Sequence, residues 1–126
     1  YAPEKFEYPI NRFAMEAKRQ LDVLDQRLED CEYLGGDEYS IADMATAPWY
    51  GAMVKGLSYN AGEFLDLTSY ENVVRWADTV MNRPAYVRGR MVNKAWGEPS
   101  EQLRERHDAS DFETQTWDKI KPTDAE

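Results

Sequence analysis

From Pro9 to Leu28 the apolar residues fall at Ile10, Phe13, Ala14, Ala17, Leu21, Leu24 and Leu28. Steps of three and four of this kind lay one stripe along an amphipathic α-helix. Pro9 suits the first turn, where its missing N–H would be unpaired in any case. Gly35-Gly36 supplies a turn, and a second stripe follows at Ile41, Met44, Ala45, Pro48, Trp49, Ala52 and Met53, predicting a helix from Ile41 to about Lys55. Pro48 interrupts it. The ring removes one backbone donor and crowds the carbonyl of Met44, which predicts a bend near Thr46 and Ala47.

After Gly56 the segment 58–62 reads as loop, with room for one short turn over Glu63 to Leu67. Thr68 and Glu71 have capping-box spacing and open a third helix, whose stripe is Tyr70, Val73, Val74, Ala77, Val80 and Met81. Asn82-Arg83-Pro84 ends it, and Pro84 starts a short helix to about Val92. Gly97, Glu98 and Pro99 then break the pattern. Ser100 to His107 has helical composition, but Leu103 is its one apolar position. From Asp108 the chain is polar and lacks periodicity, which reads either as a mobile terminus or as a tail that Phe112 and Trp117 pin to a groove. No strand alternation and no internal repeat is visible. The expected fold is an all-α bundle, with a helical domain over 1–107 and a polar tail over 108–126.

The best-made helix start is the second. Ser40 can accept from the Asp43 N–H while the Asp43 carboxylate returns to the Ser40 N–H, a capping box in which Asp replaces Glu. Tyr39 and Met44 occupy the staple positions beside it. Losing one side of such a box costs about 0.5–2 kcal/mol, so Ser40 and Asp43 are read as structural.

Composition narrows the function. At 126 residues the chain is one domain by length. Its net charge of −9 argues against nucleic acid and anionic membranes as partners. Arg83, Arg88, Arg90 and Lys94 form a basic exception, most simply a solvated helix face. No stretch approaches the ~20 apolar residues that span a bilayer, and Tyr1-Ala2-Pro3-Glu4-Lys5 lacks the order of a secretory signal, so a cytoplasmic location is expected. A single cysteine, Cys31, allows neither an internal disulfide nor a two-thiol redox motif.

Catalytic candidates are poor. His107 stands alone in a charged run, one His and one Cys are a weak basis for a metal site, and Gly35-Gly36 lacks the lysine of a phosphate loop. Cys31 lies between Asp30 and Glu32, whose charges disfavour a thiolate. Arg12 shares a helix face with Glu16, Arg19 and Val23, turned away from the apolar stripe, and by spacing alone it is a surface arginine.

The run Gly35-Gly36-Asp37-Glu38-Tyr39-Ser40-Ile41-Ala42-Asp43, followed by an aromatic helix interrupted by proline, resembles the C-terminal helical domain of glutathione transferases. Tyr8-Pro9-Ile10-Asn11-Arg12-Phe13, Met15-Glu16-Ala17-Lys18-Arg19-Gln20-Leu21 and the tail from Glu105 to Thr114 are similar to the nu-class, YghU-type branch, bacterial proteins with disulfide-bond reductase activity.

That resemblance implies that Arg12 helps to bind glutathione, the cosubstrate, whose carboxylates match a guanidinium fork. It implies thiol–disulfide exchange or thiolate attack by the cosubstrate's own sulfur, with no metal, and a homodimer. Tyr1, Phe6, Tyr8, Trp49 and Tyr50 are the aromatic candidates for a substrate wall on the electrophile side, although aromatics at helical spacing are more often core. Members of the family also carry an N-terminal thioredoxin-like domain, which nothing here resembles. The expectation is therefore a piece of such a protein, inactive alone. A stand-alone helical interaction module without catalysis is the alternative, with the basic segment from Arg83 to Lys94 as a docking surface.

Overall fold

The structure, a computed structural model, describes residues 3–102, and the chain divides after Met81 into two compact units. The first contains α1 (Glu7–Glu29), α2 (Ile41–Thr46), a π turn (Ala47–Gly51), α3 (Ala52–Val54), α4 (Gly62–Leu65), a 3-10 turn (Leu67–Ser69) and α5 (Glu71–Met81). The second contains α6 (Pro84–Gly89) and a 3-10 turn (Pro99–Glu101). Among the described residues there is no strand, only an isolated bridge in which Tyr33 and Gly36 exchange backbone hydrogen bonds of 2.8 and 3.0 Å. Gly36 takes φ +134° there, a conformation that favours glycine. The all-α expectation holds. Tyr1, Leu103, His107 and the segment 108–126 with Phe112 and Trp117 lie outside the described residues.

Helix α1 starts at Glu7, so Pro9 occupies its third position, where its missing N–H would have had no intrahelical acceptor. Its stripe is buried in the second half only. Leu21 and Leu28 are fully buried, whereas Ile10 is 42% and Phe13 74% exposed, which corrects the expectation of one continuous apolar seam. The cause is where the rest of the unit meets the helix: the hydrogen bonds from α1 to other elements fall at Gln20, Asp25, Arg27 and Leu28.

Pro48 produces the predicted bend as a π turn beginning at Ala47. A wider turn accommodates a ring that lacks an N–H and cannot sit in the regular ladder. The turn ends at Gly51, where a Cβ would come within 2.9 Å of Met81 Sδ, so the missing side chain lets this segment approach α5 closely. Val73, Trp76, Ala77 and Val80 of α5 are completely buried, and Ala47, Ala52, Leu65 and Leu67 complete the core around them.

Helices α1 and α5 terminate each other. Asp25 Oδ1 accepts from the backbone N–H groups of Asn72 (2.9 Å) and Val73 (3.0 Å) at the start of α5. Arg75 Nη2 donates to the carbonyls of Leu28 (2.6 Å) and Cys31 (3.3 Å) at the end of α1. The expected Thr68–Glu71 box is replaced: Thr68 lies in the preceding 3-10 turn, and the cap comes from α1. Asp25 is thus a tertiary N-cap. Asp25→Ala should lower stability by about 1–2 kcal/mol in urea denaturation, while Asp22→Ala, with the same charge change on the same helix, should stay within about 0.5 kcal/mol.

The capping box at Ser40 and Asp43 forms as expected, and it reaches further than the helix start. Asp43 is completely buried. Its Oδ2 accepts from the Ser40 N–H (2.9 Å) and Oγ (3.2 Å), and its Oδ1 accepts from the Leu34 N–H (3.0 Å) and from Trp76 Nε1 (2.7 Å). Burial pushes the Asp43 carboxyl upward, but the donors from Leu34, Trp76 and Ser40 outweigh it and hold the group below its ordinary value. One carboxylate therefore joins the loop after α1, the start of α2 and the middle of α5. Tyr39, next to the box, packs edge-on to Tyr33 with ring centroids 5.8 Å apart.

In the second unit α6 ends at Gly89, three residues before the predicted boundary, and turns carry the chain onward through Asn93 at φ 57°. Of the segment expected to be helical from Ser100, the described part is the end of a 3-10 turn. Lys94 of the basic segment is neutralised by Glu101 at 2.6 Å, and that ammonium lowers the Glu101 carboxyl.

Candidate functional site

Arg12, Glu16, Arg19 and Gln20 stand at helical spacing on α1, so their side chains are neighbours along one face. Glu16 is the hub. Its Oε2 accepts from Arg19 Nε (2.9 Å), and its Oε1 accepts from Arg19 Nη2 (2.7 Å) and Gln20 Nε2 (2.7 Å). Gln20 in turn accepts, through Oε1, a hydrogen bond from the Tyr50 hydroxyl of the π turn. The departure from regular winding that Pro48 imposes thus lies where an aromatic side chain is delivered to α1. Such turns recur at functional sites.

Beside this row opens a cavity of about 250 Å³ lined by Arg19, Gln20, Val23, Leu24, Thr46 and Tyr50. Two aliphatic side chains give it an apolar wall, while a guanidinium, an amide and two hydroxyls give it polar edges. The hydrogen bonds from Arg19 and then Gln20 hold the Glu16 carboxyl down at about 2; desolvation opposes them, and the charges of Arg19 and Arg12 add a smaller lowering. Arg19 is raised reciprocally, through its hydrogen bonds to Glu16 first. Among the described residues, the Arg12 guanidinium donates no hydrogen bond.

Of the aromatic wall candidates, Tyr50 is half-buried at the cavity, Trp49 is 71% exposed on the same π turn, and Phe6 and Tyr8 are exposed at the start of α1. Tyr1 lies outside the described residues. The structure therefore joins Tyr50 to the arginine face and leaves Phe6, Tyr8 and Trp49 outside the cavity lining. Spacing alone had placed Arg12, Glu16 and Arg19 together. Gln20 was missed, although its position four residues after Glu16 was the available signal. Its link to Tyr50 spans thirty residues and needs the tertiary fold. Among the described residues, no group of three or more His, Cys, Asp or Glu is placed to hold a metal ion. No helix among them is long and apolar enough to cross a membrane.

A family model for the glutathione S-transferase C-terminal domain matches residues 13–84, which include the capping box, the π turn and all of α5. The chain belongs to the glutathione S-transferase family. Within this glutathione S-transferase domain the matched span begins one residue after Arg12 and includes the row from Glu16 to Tyr50. The chain is 61% identical over 119 residues to the disulfide-bond oxidoreductase YghU of Escherichia coli K12, covering 94% of itself and 41% of that protein. It is 38% identical over 84 residues to the disulfide-bond oxidoreductase YfcG of the same organism, covering 67% of itself and 36% of that protein.

Among solved structures it resembles the glutathione transferase YghU of Streptococcus pneumoniae ATCC 700669, determined in complex with glutathione. The TM-score is 0.69 at 56% identity, over 71% of this chain and 34% of that one. The chain spans about two fifths or less of the length of these relatives. Their similarity bears out the sequence-based likeness to YghU-type glutathione transferases and to the helical domain in particular.

Proposed function

We propose that this domain forms the electrophile-side wall and part of the glutathione site of a glutathione-dependent disulfide-bond reductase, completed by a thioredoxin-like domain that positions the cosubstrate's sulfur. The observation that carries the reading is Arg12: an exposed guanidinium with no hydrogen bond to another described residue, at one end of a face that continues to the cavity at Tyr50. A carboxylate of glutathione matches such a fork with two parallel charge-assisted bonds.

In the exchange, a glutathione thiolate attacks one sulfur of the target disulfide, a new S–S bond forms as the old one breaks, and the departing thiolate takes up a proton. A second glutathione thiolate then attacks the mixed disulfide and leaves the product as glutathione disulfide and a reduced thiol. The chain's own part is to bind and orient: Arg12 fixes the carboxylate end, while Val23, Leu24 and Tyr50 shelter the reacting pair. The protein works in the cytoplasm as two identical chains, and the exposed Met15 (68%) on α1 offers apolar surface for the pairing.

In the full-length protein, Arg12→Ala should raise the KM for glutathione about tenfold in 2-hydroxyethyl disulfide reduction, which corresponds to about 1.4 kcal/mol for one charge-assisted contact. Arg12→Lys should recover part of the loss. Unchanged KM and unchanged glutathione affinity in Arg12→Ala would reject the role.

A further inference from the structure

Two guanidinium groups share this face of α1. Arg12 and Arg19 are seven residues apart, about 10 Å along the axis, with Glu16 between them. They are not equivalent. The Nε and Nη2 of Arg19 form one of the two edges on which a guanidinium pairs with a carboxylate, and both are already engaged, at 2.9 and 2.7 Å, with the two oxygens of Glu16. The Arg19 side chain is nevertheless 63% exposed and lines the cavity, so once released it would face any ligand held there.

We propose that Glu16 is a specificity-determining residue that occupies Arg19 and thereby restricts the site to one carboxylate-binding arginine, Arg12. The inference rests on the reading of Arg12 as a glutathione-binding residue. An exposed ion pair alone would hold Arg19 weakly. Here the carboxylate is held by a second residue as well, since Gln20 Nε2 donates to Glu16 Oε1 at 2.7 Å and Gln20 itself accepts from the Tyr50 hydroxyl. Three of about four acceptor positions on the carboxylate are filled by these bonds. A group that titrates only at about 2 also stays ionised across the whole range in which a glutathione thiolate can react, so protonation does not open the lock.

The consequence is a pair of opposite effects. Glu16→Gln removes a negative charge beside Arg12 and releases a second cation, so anionic ligands bind more tightly. Arg19→Gln releases the Glu16 carboxylate, whose charge then opposes whatever Arg12 binds. A residue that merely supported the helix would shift both variants in one direction.

The test is calorimetric titration of the full-length protein with glutathione and with glutathione disulfide, which carries twice as many carboxylates. Glu16→Gln should bind the disulfide about three- to tenfold more tightly, Arg19→Gln should bind both ligands about two- to fivefold more weakly, and the double variant should return close to wild type. Weaker or unchanged binding in Glu16→Gln, or shifts of the same sign in both single variants, would overturn the inference. Arg12→Ala in parallel separates the two levels. If it leaves glutathione binding intact, the reading of Arg12 fails; if it weakens binding while Glu16→Gln is silent, the role of Glu16 alone fails.

Discussion

Replacing Asp43 with alanine should lower the free energy of unfolding by about 3–5 kcal/mol, enough to move the thermal midpoint down by about 10–20 °C. The size follows from what is left behind rather than from the lost side chain. In the wild type one fully buried carboxylate takes hydrogen bonds from the Leu34 and Ser40 N–H groups, from Ser40 Oγ and from Trp76 Nε1. Alanine strands the buried Trp76 donor and leaves the partly buried donors of Leu34 and Ser40 without their acceptor, and each unpaired buried group costs about 1–3 kcal/mol. Asp43→Asn should cost less, about 1–3 kcal/mol, because one oxygen survives for Leu34 and Trp76 while the new amide N–H₂ confronts the two donors of Ser40.

Asp43 also sets an acid limit. Its folded-state carboxyl lies below the ordinary 3.8, so between the folded value and 3.8 the unfolded chain binds more protons. Stability from this group is therefore complete above about pH 4 and declines as pH falls through the folded value. Chemical denaturation measured from pH 6 to pH 2.5 should show the advantage of the wild type over Asp43→Ala shrinking in that acid range.

Trp76→Ala should be at least as damaging, at about 4–5 kcal/mol. Removing a fully buried indole from the centre of α5 leaves a large cavity among Val73, Ala77 and Val80, and it takes one donor from Asp43. Trp76→Phe separates the two losses. The phenyl ring refills most of the volume and cannot donate, so the remaining cost of about 1–3 kcal/mol reports the Nε1–H to Oδ1 bond. Combined with Asp43→Asn, it should fall short of additivity by about 0.5–2 kcal/mol in urea denaturation, since both variants disturb one interaction. Strict additivity would place the two side chains in separate networks.

The features legible in the sequence are those written locally. The helical stripes, the turn at Gly35-Gly36, the box at Ser40 and Asp43 and the interruption at Pro48 each depend on residues within a few positions of one another. The structure forms the helices, the turn, the box and the interruption, although α1 buries only the second half of its stripe. What escaped is tertiary. Asp25 caps α5 from 47 residues away, and no window along the chain contains both ends of that bond. Trp76 stood at stripe spacing between Val73 and Ala77 and could have been assigned to the core, but its partner Asp43 could not.

Ile10 and Phe13 show the opposite failure. Periodicity reports which face is apolar, and the described part of the fold covers only half of it. At the candidate site the helix geometry of Arg12, Glu16 and Arg19 was readable, whereas any chemical meaning for Arg12 came from the family resemblance. The brace from Tyr50 depends on two helices meeting.

The exchange of caps between α1 and α5 makes each boundary a joint property. Cut from the protein as a peptide, either helix would fray at the end that the other now secures, because its terminal peptide groups would have only water to bond. Docking and termination are thus coupled, and amide exchange at the end of α1 and the start of α5 should respond together to a change in either helix.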